Sequence, residues 1–360
     1  MQYKNQLFIH PTDQCNMNCE FCIYSEKHRG CESSQLDLER GYARQNLNEI
    51  MEKSQHVAFS GGGEPLLNTD FIASCIASSN NRKFMVTTGL GMRIEEIEKC
   101  FERINEACHR CDALCVIRIS VDTFHKNIDF SGNAEIVMKW FIEKRWDRVR
   151  TCFIRGVYAE GKQLLKNLRK FCWANRWSYF KKKINKYTYA VIINRKFFQV
   201  ILRPTIFPDQ ETLRREEPMT TYIDNMLKID TEEIYLGHPR SCRGCKGCDS
   251  WKSDMANGLD LTINAKGDVY LYGAEVKPLG NIYDEVLNHE VLMERVRKDP
   301  ELVLFETYDV QTIMNSFLQD EVLGDFAAKV NYPFAVIREA MKDHSGDVHR
   351  VLQKLIGETR

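Results

Sequence analysis

The chain has 360 residues, 43% of them apolar, and its Lys+Arg and Asp+Glu counts are equal at 50 each. This is the composition of a globular chain with a sizeable core, and its balanced charge excludes a global field directed at nucleic acid or an acidic membrane surface. The opening Met1-Gln2-Tyr3-Lys4-Asn5 has no apolar signal core and no apolar run approaches a membrane span, so the 14 cysteines are expected as reduced thiols in a cytoplasmic compartment.

Gln6–His10 reads as a strand that delivers the stretch Cys15-Asn-Met-Asn-Cys19-Glu-Phe-Cys22. Three thiolates at this spacing can wrap one face of an iron-sulfur cube and leave its fourth iron without a protein ligand. A zinc knuckle and chance crowding are the other readings, although structural zinc normally closes its shell with a second Cys or His pair and none follows nearby. Leu36–Met51 has helical spacing after the cap candidates Ser33 and Ser34. His56–Ser60 reads as a buried strand running into Gly61-Gly62-Gly63-Glu64-Pro65, with a helix over 69–79. Glycines at the carboxyl end of a parallel strand let backbone approach a ligand; a plain strand-to-helix turn is the alternative.

Strand Lys83–Thr87 ends in the turn Thr87-Thr88-Gly89 and leads to a helix over 94–105. At the next strand, Leu114–Val121, Arg118, Ser120 and Asp122 fall at i, i+2 and i+4 and share one face. Unpaired burial would cost about 1–3 kcal/mol for each, so they either pair internally, Arg with Asp, or meet a polar ligand. His125, just beyond, reads as an exposed loop residue, with a place facing substrate as the alternative, and Cys108, Cys111 and Cys115 read as packing thiols. A helix over 134–144, the strand Arg148–Val157 and a helix over 161–175 continue the alternation. Tyr187–Asn194 and Phe197–Leu202 then read as a hairpin supplying a sixth strand and an added edge. Residues 162–186 interleave Lys166, Arg169, Lys170, Arg176, Lys181, Lys182 and Lys183 with Trp173, Trp177 and Phe180. This basic aromatic stretch is expected as a surface helix with solvated lysines, and a grip on nucleic acid is the alternative.

Past residue 240, Cys242, Cys245 and Cys248 form two C-x2-C pairs sharing one cysteine, a metal-site spacing. A hairpin pattern follows in Leu261–Ile263, Lys266-Gly267-Asp268, Val269–Leu271 and Leu279-Gly280-Asn281-Ile282. From about Leu302 the chain reads as helical, over 310–318, 321–330, 334–341 and 348–356, a bundle that either packs on the rest or presents a partner.

The cysteine triplet with Phe21 before its last member, the run Gly61 to Glu64, the turn at Thr88 and the segment Ser120-Val121-Asp122 resemble, in order, the motifs of the radical S-adenosylmethionine (radical SAM) family. The resemblance covers about residues 5–205 and implies an α/β fold, a partial (β/α)6 TIM-like barrel with its motif loops on the carboxyl side of the strands. It implies that Cys15, Cys19 and Cys22 hold a 4Fe-4S cluster whose open iron is chelated by SAM. An electron from a flavodoxin- or ferredoxin-type donor would then cleave SAM to a 5'-deoxyadenosyl radical that abstracts hydrogen from substrate. Phe21, Gly61, Gly62, Gly63, Glu64, Thr88, Arg118, Ser120 and Asp122 are the residues it implies around SAM; no catalytic residue is assigned.

Residues 206–300 resemble the SPASM/twitch extension, which implies an auxiliary 4Fe-4S cluster on Cys242, Cys245 and Cys248, with zinc or a metal-free relic as alternatives. Tyr272 stands where the family pattern would place a further ligand Cys, and no cysteine follows Cys248, so at most one auxiliary cluster is expected. The expected organisation is a core over 1–205, this extension over 206–300 and a helical bundle over 301–360. The extension resembles those of enzymes that modify ribosomal peptides, which implies a ribosomally made peptide or protein as substrate. Small-molecule tailoring, and nucleic-acid modification through residues 162–186, are the alternatives.

Overall fold

The alternation of Gln6, Leu7, Phe8 and Ile9 gives the first strand two unlike faces, and the sheet around it is laid out on that distinction. The computed structural model describes residues 6–17, 19, 34–54, 56–80, 83–184, 187–203, 259–272, 277–307, 310–327, 340 and 344–358. The first half alternates β1 (Gln6–Ile9), α1 (Ala43–Lys53), β2 (His56–Phe59), α2 (Thr69–Ser78), β3 (Lys83–Thr88), α3 (Ile94–Arg110), β4 (Leu114–Ser120), α4 (Gly132–Glu143), β5 (Val149–Val157) and α5 (Gly161–Ala174). Three strands follow, β6 (Tyr179–Lys183), β7 (Thr188–Ile193) and β8 (Lys196–Arg203), and later β9 (Leu261–Ile263), β10 (Asp268–Leu271) and β11 (Pro278–Asn281). The chain ends in α6 (His289–Lys298), α7 (Pro300–Thr307), α8 (Val310–Gln319), α9 (Glu321–Ala327) and α10 (Ser345–Glu358).

All the strands among the described residues join one 11-stranded sheet in the order β11-β10-β9-β1-β2-β3-β4-β5-β8-β7-β6. From β9 to β8 every neighbouring pair is parallel, and the antiparallel pairs lie at the two ends. The sheet does not close, as expected of a partial barrel. β8 is the sixth strand foreseen for the hairpin and β7 its added edge. β9 extends the parallel run on the other side of β1, so the hairpin at 261–271 is continuous with the core sheet.

Side chains that face the helices, among them Leu7, Ile9, Val57, Phe59, Phe84, Val86, Ile117 and Ile119, form one apolar cluster with Leu47, Ile72, Ile97, Phe101 and Ile104. By alternation the inner face carries Phe8, Ala58, Met85, Thr87, Val116, Arg118 and Ser120, a mixed polar surface. Tyr272, at the position where the family pattern places a further ligand Cys, packs against Phe8 with ring centroids 4.7 Å apart and planes tilted by 32°.

Two expectations need correction. The helix foreseen over 36–51 begins at Ala43, because residues 34–36 run beside 11–13 through the Asp13 N–H to Ser34 and Leu36 N–H to Pro11 bonds. Leu36 and Leu38 are buried by that loop instead of by a helix. Gly41 then turns the chain at φ 51°, pressed against Tyr283, where a Cβ would meet the carbonyl oxygen. The second correction is that 162–186 is not one helix. α5 stops at Ala174, Arg176 takes a left-handed φ of 57°, and the chain returns as the edge strand β6. Of the terminal helices, α8, α9 and α10 share a core of Met314, Phe317, Leu323, Val348, Val351 and Leu352. The helix expected over 334–341 lies outside the described residues apart from Ala340.

Asn46 locks α1 to the segment after β11. It is wholly buried, donates to the carbonyls of Ile282 and Glu285 at 2.9 and 2.7 Å, and accepts from the Leu287 N–H at 2.8 Å. Asn46→Ala strands two acceptors and a donor and should lower stability by about 2–4 kcal/mol in a urea titration. Asn46→Asp should cost at least as much, since a carboxylate cannot donate to the two carbonyls.

Candidate functional site

Strands of a parallel sheet bind at their carboxyl ends, and the loops after β1, β2, β3 and β4 are tied together there. Gly63 N–H donates to Thr12 and Glu64 N–H to Gln14, each at 2.8 Å, drawing the glycine run against the loop that leads to Cys15. A Cβ on Gly63 would lie 1.8 Å from the Gln14 carbonyl oxygen, and Gly61 and Gly62 hold φ of 91° and 66°. These glycines are required by the chain's own cysteine loop before any ligand enters.

Glu64 is buried, and its carboxylate reaches two ways: Oε1 accepts from the Leu66 N–H at 3.2 Å and Oε2 from the Gly89 N–H at 2.9 Å. Burial raises its pKa, while those two N–H groups and the Thr88 hydroxyl pull it down. Thr88 also accepts from the Leu90 N–H, shaping the turn where Leu90 holds φ 62°. On the cysteine side, Asn16 donates to the Gly91 carbonyl, and Met17 packs so closely on Gly91 that a Cβ there would meet its sulfur.

The β4 residues occupy the inner face as their spacing requires. Arg118 crosses β3 toward β2, donating from Nε to the Thr87 hydroxyl at 3.0 Å and from Nη2 to the Ser60 hydroxyl at 3.2 Å. Asp122 is buried and joined to His125, whose backbone N–H and Nδ1 both lie 2.8 Å from its Oδ1. His125 is thus a partly buried member of the site, packed against Gly89. The sequence alone does not show this, because the i, i+3 link to Asp122 exists only in this turn. Asn127, which no motif flagged, closes the turn: it donates to the Ser120 carbonyl at 2.8 Å and accepts from the Asp122 N–H at 3.1 Å. Gln199 was also missed; it is buried on β8 opposite Phe153, and its Oε1 has no hydrogen-bond partner among the described residues.

Among the eight cysteines whose side chains are described, Cys15, Cys19 and Cys111 are only half-buried. Cys111 sits before β4, at the opposite end of the sheet from the loops. Burial pushes Cys108 and Cys172 up to about 12 and raises Cys75 and Cys115 as well, which makes them inert thiols. Cys15 and Cys19 are therefore the described thiols whose position suits a ligand, and the Cys19 sulfur lies 3.9 Å from the Phe124 carbonyl oxygen. The expected Phe21, Cys22, Cys242, Cys245 and Cys248 lie outside the described residues, and among the described ones no three His, Cys, Asp or Glu side chains converge as a metal site. No helix among them is long and apolar enough to cross a membrane.

Glu64 holds its proton to higher pH in the native state than unfolded, so stability contributed through it falls as pH rises upward from 4.5. Glu64→Gln should flatten that slope in urea titrations across pH, and Glu64→Ala should cost about 1–3 kcal/mol by stranding the Leu66 and Gly89 N–H groups.

Residues 5–138 match the family described as a 4Fe-4S single cluster domain. A comparison with curated proteins finds no match. Among solved structures, native anSMEcpe with bound AdoMet is similar at 15% identity, with 97% of this chain and 99% of that one covered and a TM-score of 0.48. BtrN in complex with AdoMet and 2-DOIA is similar at 11% identity, covering 92% and 95%, with a TM-score of 0.34. Streptococcus suis SuiB bound to S-adenosylmethionine is similar at 13% identity, covering 83% and 66%, with a TM-score of 0.35. The segment that matches a 4Fe-4S domain thus spans the Cys15-x3-Cys19-x2-Cys22 run together with the loops stitched to it at the carboxyl end of the parallel strands.

Proposed function

We propose that this chain is a radical SAM enzyme acting on a ribosomally made peptide or protein, with Cys15, Cys19 and Cys22 holding the 4Fe-4S cluster and Glu64, Arg118, Ser120 and Asp122 around SAM. The observation that supports the substrate class is the open sheet, whose ends among the described residues are β11 and β6. A closed barrel admits only what fits through its mouth, whereas an open one admits a chain laid along its inner face.

When bound, the cluster and SAM supply one-electron reductive cleavage and the hydrogen abstraction that follows. The residues of this chain position, neutralise and exclude water. Glu64 holds the β2 and β3 loops at one spacing through Leu66 and Gly89. Arg118, steadied by Thr87 and Ser60, presents a cation on the inner face that suits a carboxylate. The Ser120 hydroxyl and the Asp122 carboxylate, braced by His125, suit ligand hydroxyls. Phe8 and Tyr272 form an apolar wall against solvent, and Gln199 offers a buried acceptor to a substrate N–H.

An auxiliary cluster at Cys242, Cys245 and Cys248 belongs to the same reading, supported by their spacing, since crowded thiolates repel unless a metal neutralises them. The electron donor would be of the flavodoxin or ferredoxin type.

Anaerobic reconstitution should give roughly eight irons per chain, falling to about four when Cys242, Cys245 and Cys248 are changed to Ala, with SAM cleavage partly kept. Cys19→Ala should abolish release of 5'-deoxyadenosine; release by a variant lacking all three of Cys15, Cys19 and Cys22 would overturn the cluster assignment. The substrate class is checked by mass spectrometry of short peptides encoded beside the gene after anaerobic reaction. Peptides left unchanged by protein that still cleaves SAM would reject the peptide reading.

A further inference from the structure

From Gly161 to Arg203 the chain carries 12 Lys and Arg and no Asp or Glu, within a sequence whose net charge is zero. The fold lays this stretch along one end of the sheet, through α5, β6, β7 and β8. β6 is the last strand among the described residues, and Phe180, Lys181, Lys182 and Lys183 are all exposed on it.

The register gives this edge two different faces. Phe180 pairs with Ile192 and Ile192 with Phe197, so an apolar row crosses three strands, with exposures of 67%, 44% and 46%. Lys181 and Lys183 alternate with Phe180 and so occupy the other face. The backbone is equally ordered. Asn194 N–H donates to the Ser178 carbonyl and Ile184 N–H to the Thr188 carbonyl, which places the β6–β7 bonds on even-numbered residues of β6. The alternation of an antiparallel ladder then turns the N–H and C=O groups of Tyr179, Lys181 and Lys183 outward.

We propose that β6 is a docking strand to which an extended acidic segment of the peptide substrate adds. Carboxylates on one face of that segment meet Lys181 and Lys183, an apolar side chain on its other face continues the row from Phe180, and its backbone pairs with the outward groups. Charge excludes a second copy of this edge, since lysines would face lysines. The outward alternation of donors and acceptors suits a peptide better than a nucleic acid. Of the aromatics here, Trp173 is already covered by Arg169 at 4.4 Å, and Ile192 offers no stacking face. The proposal rests on the peptide-substrate reading and gives that substrate a holding site apart from the cysteine loop.

The test is fluorescence anisotropy on the reconstituted full chain, with a labelled short peptide in which Glu alternates with Val. Binding should fall at least tenfold for Lys181→Glu combined with Lys183→Glu, and should be lost when Lys replaces Glu in the peptide. Lys181→Pro removes an outward N–H and spares the β7 bonds, as edge strands tolerate, so it should weaken binding at least fivefold more than Lys181→Ala. Release of 5'-deoxyadenosine should be unchanged in all these variants, which shows that they fold. Absence of peptide binding, equal effects of Pro and Ala, or tighter binding of oligo-dT than of the peptide would each overturn the docking strand. Binding that meets these criteria while no peptide is ever modified would instead count against the peptide-substrate reading alone.

Discussion

The close approach of two backbones, Gly61–Gly63 against residues 12–14, is the constraint on which the carboxyl end of the sheet depends. No side chain fits between Gly63 and the Gln14 carbonyl, so the loop before Cys15 can lie where it does only because the strand beside it ends in glycine. Once that contact is made, Glu64 is carried into the interior, and its desolvation is only partly offset by the N–H groups of Leu66 and Gly89. Asn16 and Met17 then seat the cysteine loop on the β3 turn. Cys15 and Cys19 stay half-buried while most of the other described thiols are sealed in the core.

The inner face of the sheet has a different character from the helix-covered face. Arg118 is held by hydroxyls, Asp122 by His125, and the turn that bears them by Asn127. Polar groups of this kind are tolerated in an interior only when nearly every one is partnered. Such an array is stiff, because each polar group is held by more than one neighbour.

The sheet's two ends differ in what terminates them. At one end β9–β11 add to β1, and Asn46 fastens the segment beyond β11 to α1, so this end is bound into the core. At the other end β6 carries lysines on an exposed edge with an apolar row behind it. Opening the barrel in this way exposes a surface that a closed barrel would consume in hydrogen bonds.

The strand and helix alternation was legible from period and glycine position, because those are local properties of the chain, whereas the barrel and the place of the motif loops at its carboxyl end were implied by the resemblance of the ordered motifs. The shared face of Arg118, Ser120 and Asp122 was also legible, since alternation along a strand needs no knowledge of its neighbours. Their partners were not. Arg118 reaches Ser60 across a separation of 58 residues, and Glu64 reaches Gly89 across 25. Asp122 turns to His125 only through the turn that Asn127 closes. The start of α1 and the strand nature of Tyr179–Lys183 were likewise decided by distant contacts. Leu36 is buried in a loop that pairs with 11–13, and the Tyr179-Phe180 run is drawn into β pairing by Ile192 and Ile193, which overrides the helical spacing of the residues before it.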